Sequence, residues 1–97
     1  MSALAQNEIF YGTGFLRDVQ KLQHEAQEKL AQLLDILIVD TFDSRLHTKP
    51  LGAPLKGKYS FRITRDWRVA FEFSGQHTIK LLVVDHRNRI YKRLARL

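Results

Sequence analysis

Residues 58–73 read KYSFRITRDWRVAFEF and carry the clearest secondary-structure pattern of the chain. Apolar and polar side chains alternate along it in two runs, 59–63 and 67–73. This period of two is typical of antiparallel strands that bury one face against a core. The pair Arg65-Asp66 separates the two runs and predicts the turn of a β-hairpin.

A third strand is predicted after this hairpin, because residues 79–84 are apolar on both faces apart from Lys80. On the N-terminal side of residue 50, apolar residues recur at the three- and four-residue spacing of helices. This spacing predicts helices over about 13–22 and 25–39. Thr13 is expected to be the N-cap of the first helix.

The remaining segments complete the order of elements. Residues 9–11 are a short strand candidate that ends at Gly12, and residues 74–76 are expected to form the second hairpin turn. Residues 92–97 are basic and are interpreted as a solubilising tail. The order β-α-α-β-β-β predicts an α+β fold in which two N-terminal helices pack on one face of an antiparallel sheet.

The charge of the chain is concentrated in its second half. The 97 residues leave room for a single domain over 1–97, and their net charge is +6. Residues 1–48 hold four basic and seven acidic side chains, a net of −3. Residues 49–97 hold twelve basic and three acidic side chains, a net of +9. A polyanion is therefore the first partner to consider.

Composition excludes several classes of protein. Without cysteine the chain has no disulfide framework, thiol nucleophile or zinc–thiolate site. The longest apolar run, 36–39, is far too short to span a membrane, and residues 1–6 do not resemble a signal peptide. The four histidines are scattered, so neither a metal nor a cofactor is expected. We expect a cytoplasmic protein with no membrane partner.

Polar strand positions are expected to lie on the sheet face that the two helices leave open. Arg62 and Arg68 occupy this face on consecutive strands, where like charges are unfavourable unless an anion lies between them. Arg87 and Tyr91 follow the last strand, and Lys49, Lys56 and Lys58 lie on the loop leading into the sheet. The alternative interpretation is a solvated basic surface without a ligand. Trp67 and Tyr59 lie at the alternate strand positions that are expected to face the core, which favours packing over base stacking.

Two segments of the second half resemble the signature of the RelE/ParE-superfamily toxins. The first is KPL at 49–51 followed by LKGKYSFRITRDWRVAF at 55–71. The second is DHRNRIY at 85–91, in which Asp85 stands where glycine is usual. The resemblance implies a small RelE-like fold and a role as the toxin of a type II toxin–antitoxin system.

The resemblance also implies an activity and partners. RelE/YafQ-like members are mRNA interferases, endoribonucleases that cut mRNA in the A site of the 70S ribosome. A cognate antitoxin holds them inactive, and operator DNA is contacted only indirectly, through that antitoxin. A ParE-like inhibitor of DNA gyrase without nuclease activity is one alternative, and a non-catalytic nucleic-acid-binding module is another.

Carried over by position, the resemblance assigns individual residues. Arg62, Arg68, Arg87 and Tyr91 match the catalytic positions, and Ser60 stands where RelE has a lysine. Lys49 and Asp66 match functional positions of the YafQ-like branch. Together with Lys56 and Lys58 of the basic loop, they form the expected RNA-binding set, Lys49, Lys56, Lys58 and Asp66.

RNA cleavage by the 2′-hydroxyl needs a base, stabilisation of the charge on the phosphate, and an acid for the leaving 5′-oxygen. Guanidinium groups suit the second task, because they are always charged. A phenol or an imidazole suits the proton transfers. We therefore expect the three arginines to hold the phosphate and either Tyr91 or His86 to transfer protons.

Overall fold

The computed structural model describes residues 6–97. Its five strands are β1 Glu8–Tyr11, β2 Lys49–Pro50, β3 Lys58–Arg62, β4 Trp67–Gly75 and β5 Thr78–His86. They form one sheet in the order β1-β5-β4-β3-β2. The pairs among β2 to β5 are antiparallel, as the alternation predicts.

The edge strand β1 corrects the prediction of a wholly antiparallel sheet, because it runs parallel to β5. The Glu8 N–H donates to the His77 carbonyl and the Gly12 N–H to the Leu81 carbonyl, each at 2.7 Å. A four-residue strand carries no pattern that distinguishes a parallel from an antiparallel neighbour, so the direction was not readable from the sequence. The class remains α+β, with a mixed sheet.

The two predicted N-terminal helices are confirmed as α1 Phe15–Gln20 and α2 His24–Val39. The N-cap of α1 is Gly14 rather than the predicted Thr13, and no side chain caps this helix. Gly14 has φ of 87°, a left-handed conformation that glycine adopts without steric cost, and it turns the chain from β1 into α1. A single 3-10 turn, Ser44–Leu46, follows α2.

The main core lies between these helices and one face of the sheet. Leu30, Leu33 and Leu37 line one side of α2 at helical spacing and are buried. They pack with Phe61 and Phe71 of the sheet, which are both fully buried. Burying each such side chain contributes about 1.5–3 kcal/mol. Trp67 and Tyr59 are half-buried against the same core, which confirms their expected packing role.

A second, smaller core covers part of the other face. Residues 92–95, predicted to belong to a solubilising tail, instead form most of α3, Ile90–Ala95. Ile90 and Leu94 lie one turn apart on this helix and pack on Ala70, Leu82 and Val83. The tail prediction was wrong because the basic residues between these two apolar positions masked a helical period. A bulge in the β4–β5 ladder, with Ala70 opposite Val83 and Phe71 opposite Leu81, brings Leu82 into this core.

Ion pairs fix α3 to the rest of the fold. Arg93 donates to both oxygens of buried Asp18, at 3.0 and 3.1 Å, and to Asp85 at 2.9 Å. Arg89 donates to Asp85 at 3.0 Å, and Asp18 also accepts the Val84 N–H. Burial opposes charge on Asp85, but its hydrogen bonds from Arg93, the His86 N–H and Arg89 outweigh burial and lower its pKa.

The predicted second hairpin turn is shifted slightly, because β4 continues to Gly75 and leaves Gln76 and His77 to form it. Within residues 6–97, none of the helices combines the length and the apolar character that crossing a membrane requires.

Candidate nucleic-acid interface

The register of the central strands places the predicted arginines on one face. Residues directly opposite each other across an antiparallel pair share a face of the sheet. Arg62 is opposite Arg68, and Arg68 is opposite Asp85. Ala70, two residues from Arg68, packs in the small core beneath α3. The arginines therefore lie on the face that α1 and α2 leave open, which we call the open face.

Arg68 is the central side chain of this face. Its Nη1 donates to the Tyr91 hydroxyl at 3.4 Å. Its Nε is buried and has no hydrogen-bond partner among residues 6–97. Buried polar groups are nearly always paired, so an unpaired charged N–H at this position favours an anionic ligand.

Tyr91 reaches Arg68 because it lies in the first turn of α3 and packs against the small core. Lys49 also approaches the tyrosine, with its Nζ 5.9 Å from the centre of the ring, within the range of a cation–π contact. Lys49 is opposite Ser60 in the β2–β3 pair and so shares the open face. The structure thus brings together Lys49, Arg68 and Tyr91, from three separate parts of the chain.

Arg87 lies at the end of the sheet and is held by the β3–β4 turn. Its backbone N–H donates to the Asp66 carbonyl at 2.7 Å, and its Nε lies 3.5 Å from the Asp66 carboxylate. Both side chains are about half exposed, 43% for Arg87 and 51% for Asp66. Asp66 therefore positions Arg87, and a solvent-exposed pair of this kind contributes little to stability.

His86 points away from the other candidates. It is opposite Trp67, and the two rings meet edge to face with their centres 5.6 Å apart. Since Trp67 packs on the main core, His86 lies on the helix side of the sheet, opposite to Arg68 and Tyr91. Its Nδ1 accepts the Asn88 N–H at 3.1 Å, which supports the turn after β5.

The two other candidate lysines differ in their surroundings. Lys58 lies opposite Glu72 on the open face, with 3.7 Å between its Nζ and the carboxylate, so part of its charge is neutralised. Lys56 is exposed in the loop that precedes β3. In the described part of the chain, neither forms a hydrogen bond with Arg68 or Tyr91.

Two positioning residues were missed from the sequence. Arg89 and Arg93 follow Asp85 at intervals of four residues, and together they fix α3 and hence Tyr91. The i, i+4 spacing of opposite charges was a usable signal. It was overlooked because residues 92–97 were interpreted as a tail.

No protein-family model and no curated protein matches the chain in sequence. Solved structures do match it. YafQ from E. coli strain BL21(DE3) superposes with a TM-score of 0.73 at 21% identity, covering 89% of this chain and 99% of YafQ. The YoeB/ParE toxin from Agrobacterium tumefaciens gives 0.72 at 19% identity, covering 82% and 98%. A chain of the RelBE2 toxin–antitoxin complex from Mycobacterium tuberculosis gives 0.70 at 26% identity, covering 84% and 99%.

The chain thus has the fold of the RelE/ParE-superfamily toxins. The resemblance predicted from residues 49–71 and 85–91 is confirmed for the fold, and the match covers almost the whole length of the neighbours. Several of these neighbours were solved in complex with an antitoxin, among them the DinJ–YafQ complex of E. coli and the RelE–RelB complex of Pyrococcus horikoshii OT3.

Proposed function

We propose that this protein is the toxin of a type II toxin–antitoxin system and that it acts as a ribosome-dependent endoribonuclease on mRNA. The observation that carries the proposal is Arg68, whose buried Nε has no partner in the described chain and whose Nη1 contacts the Tyr91 hydroxyl. The fold, shared with YafQ and RelE toxins, supports the same conclusion.

The open face supplies the groups that RNA cleavage requires. The 2′-oxygen attacks phosphorus and the bond to the 5′-oxygen breaks, which leaves a 2′,3′-cyclic phosphate and a 5′-hydroxyl. One proton leaves the 2′-hydroxyl and one is delivered to the 5′-oxygen. Arg68 donates to the phosphate oxygens as negative charge accumulates on them, and Arg62 and Arg87 add donors at either side.

Tyr91 is the proposed proton-transfer group. An arginine remains protonated throughout, so it cannot accept a proton. The Tyr91 hydroxyl is oriented by Arg68 at 3.4 Å and lies on the same face as the arginines. His86, the other candidate, lies on the helix side of the sheet beside Trp67. The placement therefore supports Tyr91 over His86.

The proposed partners follow from charge and exposure. Arg62 and Arg87 are exposed, so a larger body is needed to hold the RNA strand against them, and we propose that the 70S ribosome with mRNA in its A site is that body. Lys49, Lys56 and Lys58 are placed to contact the backbone of the RNA. A cognate antitoxin covers the same basic face in the inactive complex and is the only link to operator DNA. The proposed location is the cytoplasm.

A ParE-like gyrase inhibitor is the second candidate, because the YoeB/ParE toxin shares the fold. The experiment that separates the two is expression of the chain without its antitoxin, followed by mapping of mRNA 5′ ends. The proposal predicts new 5′ ends at regular codon positions within translated messages. Intact messages, together with DNA damage and filamentation, would contradict the nuclease proposal and favour inhibition of DNA gyrase.

Matched variants locate the activity on the open face. Arg68→Ala is expected to abolish growth arrest, while Arg17→Ala, an exposed arginine on α1, leaves it unchanged. Both variants are expected to bind the antitoxin. Growth arrest by Arg68→Ala equal to that of the wild type would remove Arg68 from the mechanism.

A further inference from the structure

A second concentration of basic side chains lies beside the open face. A cavity of about 190 Å³ opens between α2, the 3-10 turn and the β3–β4 turn. Its lining includes five basic residues, Lys29, Arg45, His47, Arg62 and Arg65. We call this cavity the lateral cleft. Only Arg62 belongs to the site described above.

The positive charge of the lateral cleft is largely uncompensated. Arg45 is paired with Asp43, which accepts from its Nε at 3.0 Å and its Nη2 at 2.9 Å. The Arg45 hydrogen bonds lower the pKa of Asp43 to about 2, so this pair is ionised. In the described part of the chain, no carboxylate forms an ion pair with Lys29, Arg62 or Arg65. These cations repel one another until an anion enters.

The cleft adjoins the candidate catalytic face through Arg62. This residue ends β3, lines the cleft and is directly opposite Arg68. A polyanion bound at Arg68 therefore meets the cleft next if it continues past Arg62. His47 lines the same cleft and has φ of 52°, the one positive value among the non-glycine residues of 6–97. Such conformations persist where the surrounding structure holds them.

We propose that the lateral cleft binds the phosphodiester backbone of RNA, as a second site that extends the catalytic face beyond Arg62. The inference rests on the proposed function, since it assigns a further contact of the same protein with RNA, either the substrate strand or ribosomal RNA. The chemistry of the walls favours RNA over an acidic peptide. Among the described residues 6–97, the lining is almost wholly polar and cationic, and Ile63 is its single apolar member. A peptide that folds on binding needs apolar anchors, such as those of the groove at Tyr11, Leu16 and Leu34.

The test uses the full-length chain and a short 2′-O-methyl RNA oligonucleotide, which binds but cannot be cleaved. Its affinity is measured by fluorescence anisotropy over a series of salt concentrations. The test variant is Lys29→Glu/Arg65→Glu, and the control is Arg17→Glu/Arg96→Glu, which makes the same change in net charge at exposed residues outside the cleft. The four residues are exposed, so all variants are expected to fold, and circular dichroism checks this.

The proposal predicts that the test variant binds roughly tenfold or more weakly than the control, and that its salt slope falls by about one unit as phosphate contacts are lost. Equal affinities for test and control variants, on the oligonucleotide and on ribosomes alike, would overturn it. The proposal would also be overturned if the test variant lost binding to a glutamate-rich peptide while its RNA affinity was unchanged. The cleft would then be a binding site for an acidic protein segment.

A second measurement distinguishes the mRNA substrate from ribosomal RNA, since both have the same phosphodiester backbone. Co-sedimentation with ribosomes is measured for the same variants. A defect on the oligonucleotide assigns the cleft to the substrate strand, and a defect confined to ribosomes assigns it to ribosomal RNA. Both support a site for RNA backbone. Because neither arm requires cleavage, a chain that binds RNA through the cleft but leaves mRNA intact would refute the nuclease and not the cleft.

Discussion

The two faces of the sheet are buried in different ways. On the helix side, α1 and α2 cover a continuous core that includes Phe61 and Phe71. On the open face, the six-residue α3 covers only a small cluster around Ala70 and Val83. The first face is closed by apolar packing. The second is closed in part by a short helix that ion pairs fix in place, and the rest remains available to side chains such as Arg68.

This difference separates stability from chemistry. Residues of the helix side are predicted to determine the free energy of unfolding. The exposed and half-buried basic residues of the open face are predicted to determine activity and to contribute little to stability, since within residues 6–97 Arg68 has an unpaired Nε and one long hydrogen bond. Substitutions on the two faces are therefore expected to have different effects on stability and on activity.

The largest effect on stability is expected from Leu37→Ala. Leu37 is fully buried in the main core, so its truncation leaves a cavity and lowers the free energy of unfolding by about 2–5 kcal/mol. Urea denaturation measures the change. Leu16→Ala serves as the control, because Leu16 is 57% exposed and its loss is expected to matter little. Equal effects at both positions would mean that the helix side is not the dominant core.

Leu94→Ala is expected to cost less, about 2 kcal/mol, although Leu94 is also almost fully buried. The reason is that α3 can detach from the small core while the main core stays folded. Hydrogen exchange would show this as faster exchange of the amides of α3 with the amides of β4 still protected. Loss of protection in both elements together would show that the two cores unfold as one unit.

Asp18→Asn tests the ion pair that joins α1, on the helix side of the sheet, to α3 on the open face. Asp18 lies on α1, accepts two hydrogen bonds from Arg93 and one from the Val84 N–H, and its side chain is only 6% exposed. The amide keeps the shape and loses the charge, so we expect a loss of about 1–2 kcal/mol. The matched control is Asp35→Asn on the exposed side of α2, with an expected change below about 0.5 kcal/mol. A thermal melt of each variant measures both.

The smallest effect on the free energy of unfolding is expected from lowering the pH. The pKa of Asp85 is lower in the folded protein, so its ion pairs stabilise the fold above the unfolded pKa of about 4 and cease to do so as pH falls through the folded value. Stability should therefore decrease below about pH 4, and Asp85→Asn should decrease less over the same interval. Urea midpoints at neutral and acid pH measure this. Parallel pH curves for the two proteins would contradict the role given to Asp85.

Local patterning explains which parts of the fold could be predicted. The alternation at 59–63 and 67–73 identified the hairpin, and the leucine spacing of α2 identified the helix and its buried side. The direction of β1 and the existence of α3 were not predicted. The direction of β1 depends on its pairing with β5, far along the chain, which leaves no local pattern. The helical period of α3 was present at Ile90 and Leu94, but the basic residues between them masked it.

The candidate site could likewise be predicted only in part. The adjacency of Arg62 and Arg68 followed from a hairpin with a short turn. The contact of Tyr91 with Arg68 depends on α3 and could be anticipated only through the family resemblance. The position of His86 on the opposite face follows from its register with Trp67, which the sequence does not specify. The roles of all these residues in catalysis stay predictions.

We propose that Arg68, on the open face, acts in RNA cleavage and contributes little to the stability of the fold. The most direct measurement is the rate at which purified wild-type and Arg68→Ala proteins cleave mRNA on programmed ribosomes, together with their urea denaturation. We predict a rate lower by about 100- to 1000-fold, as for loss of one transition-state donor, with an unchanged denaturation midpoint. Cleavage at the wild-type rate by Arg68→Ala, or no cleavage by the wild type, would contradict the claim.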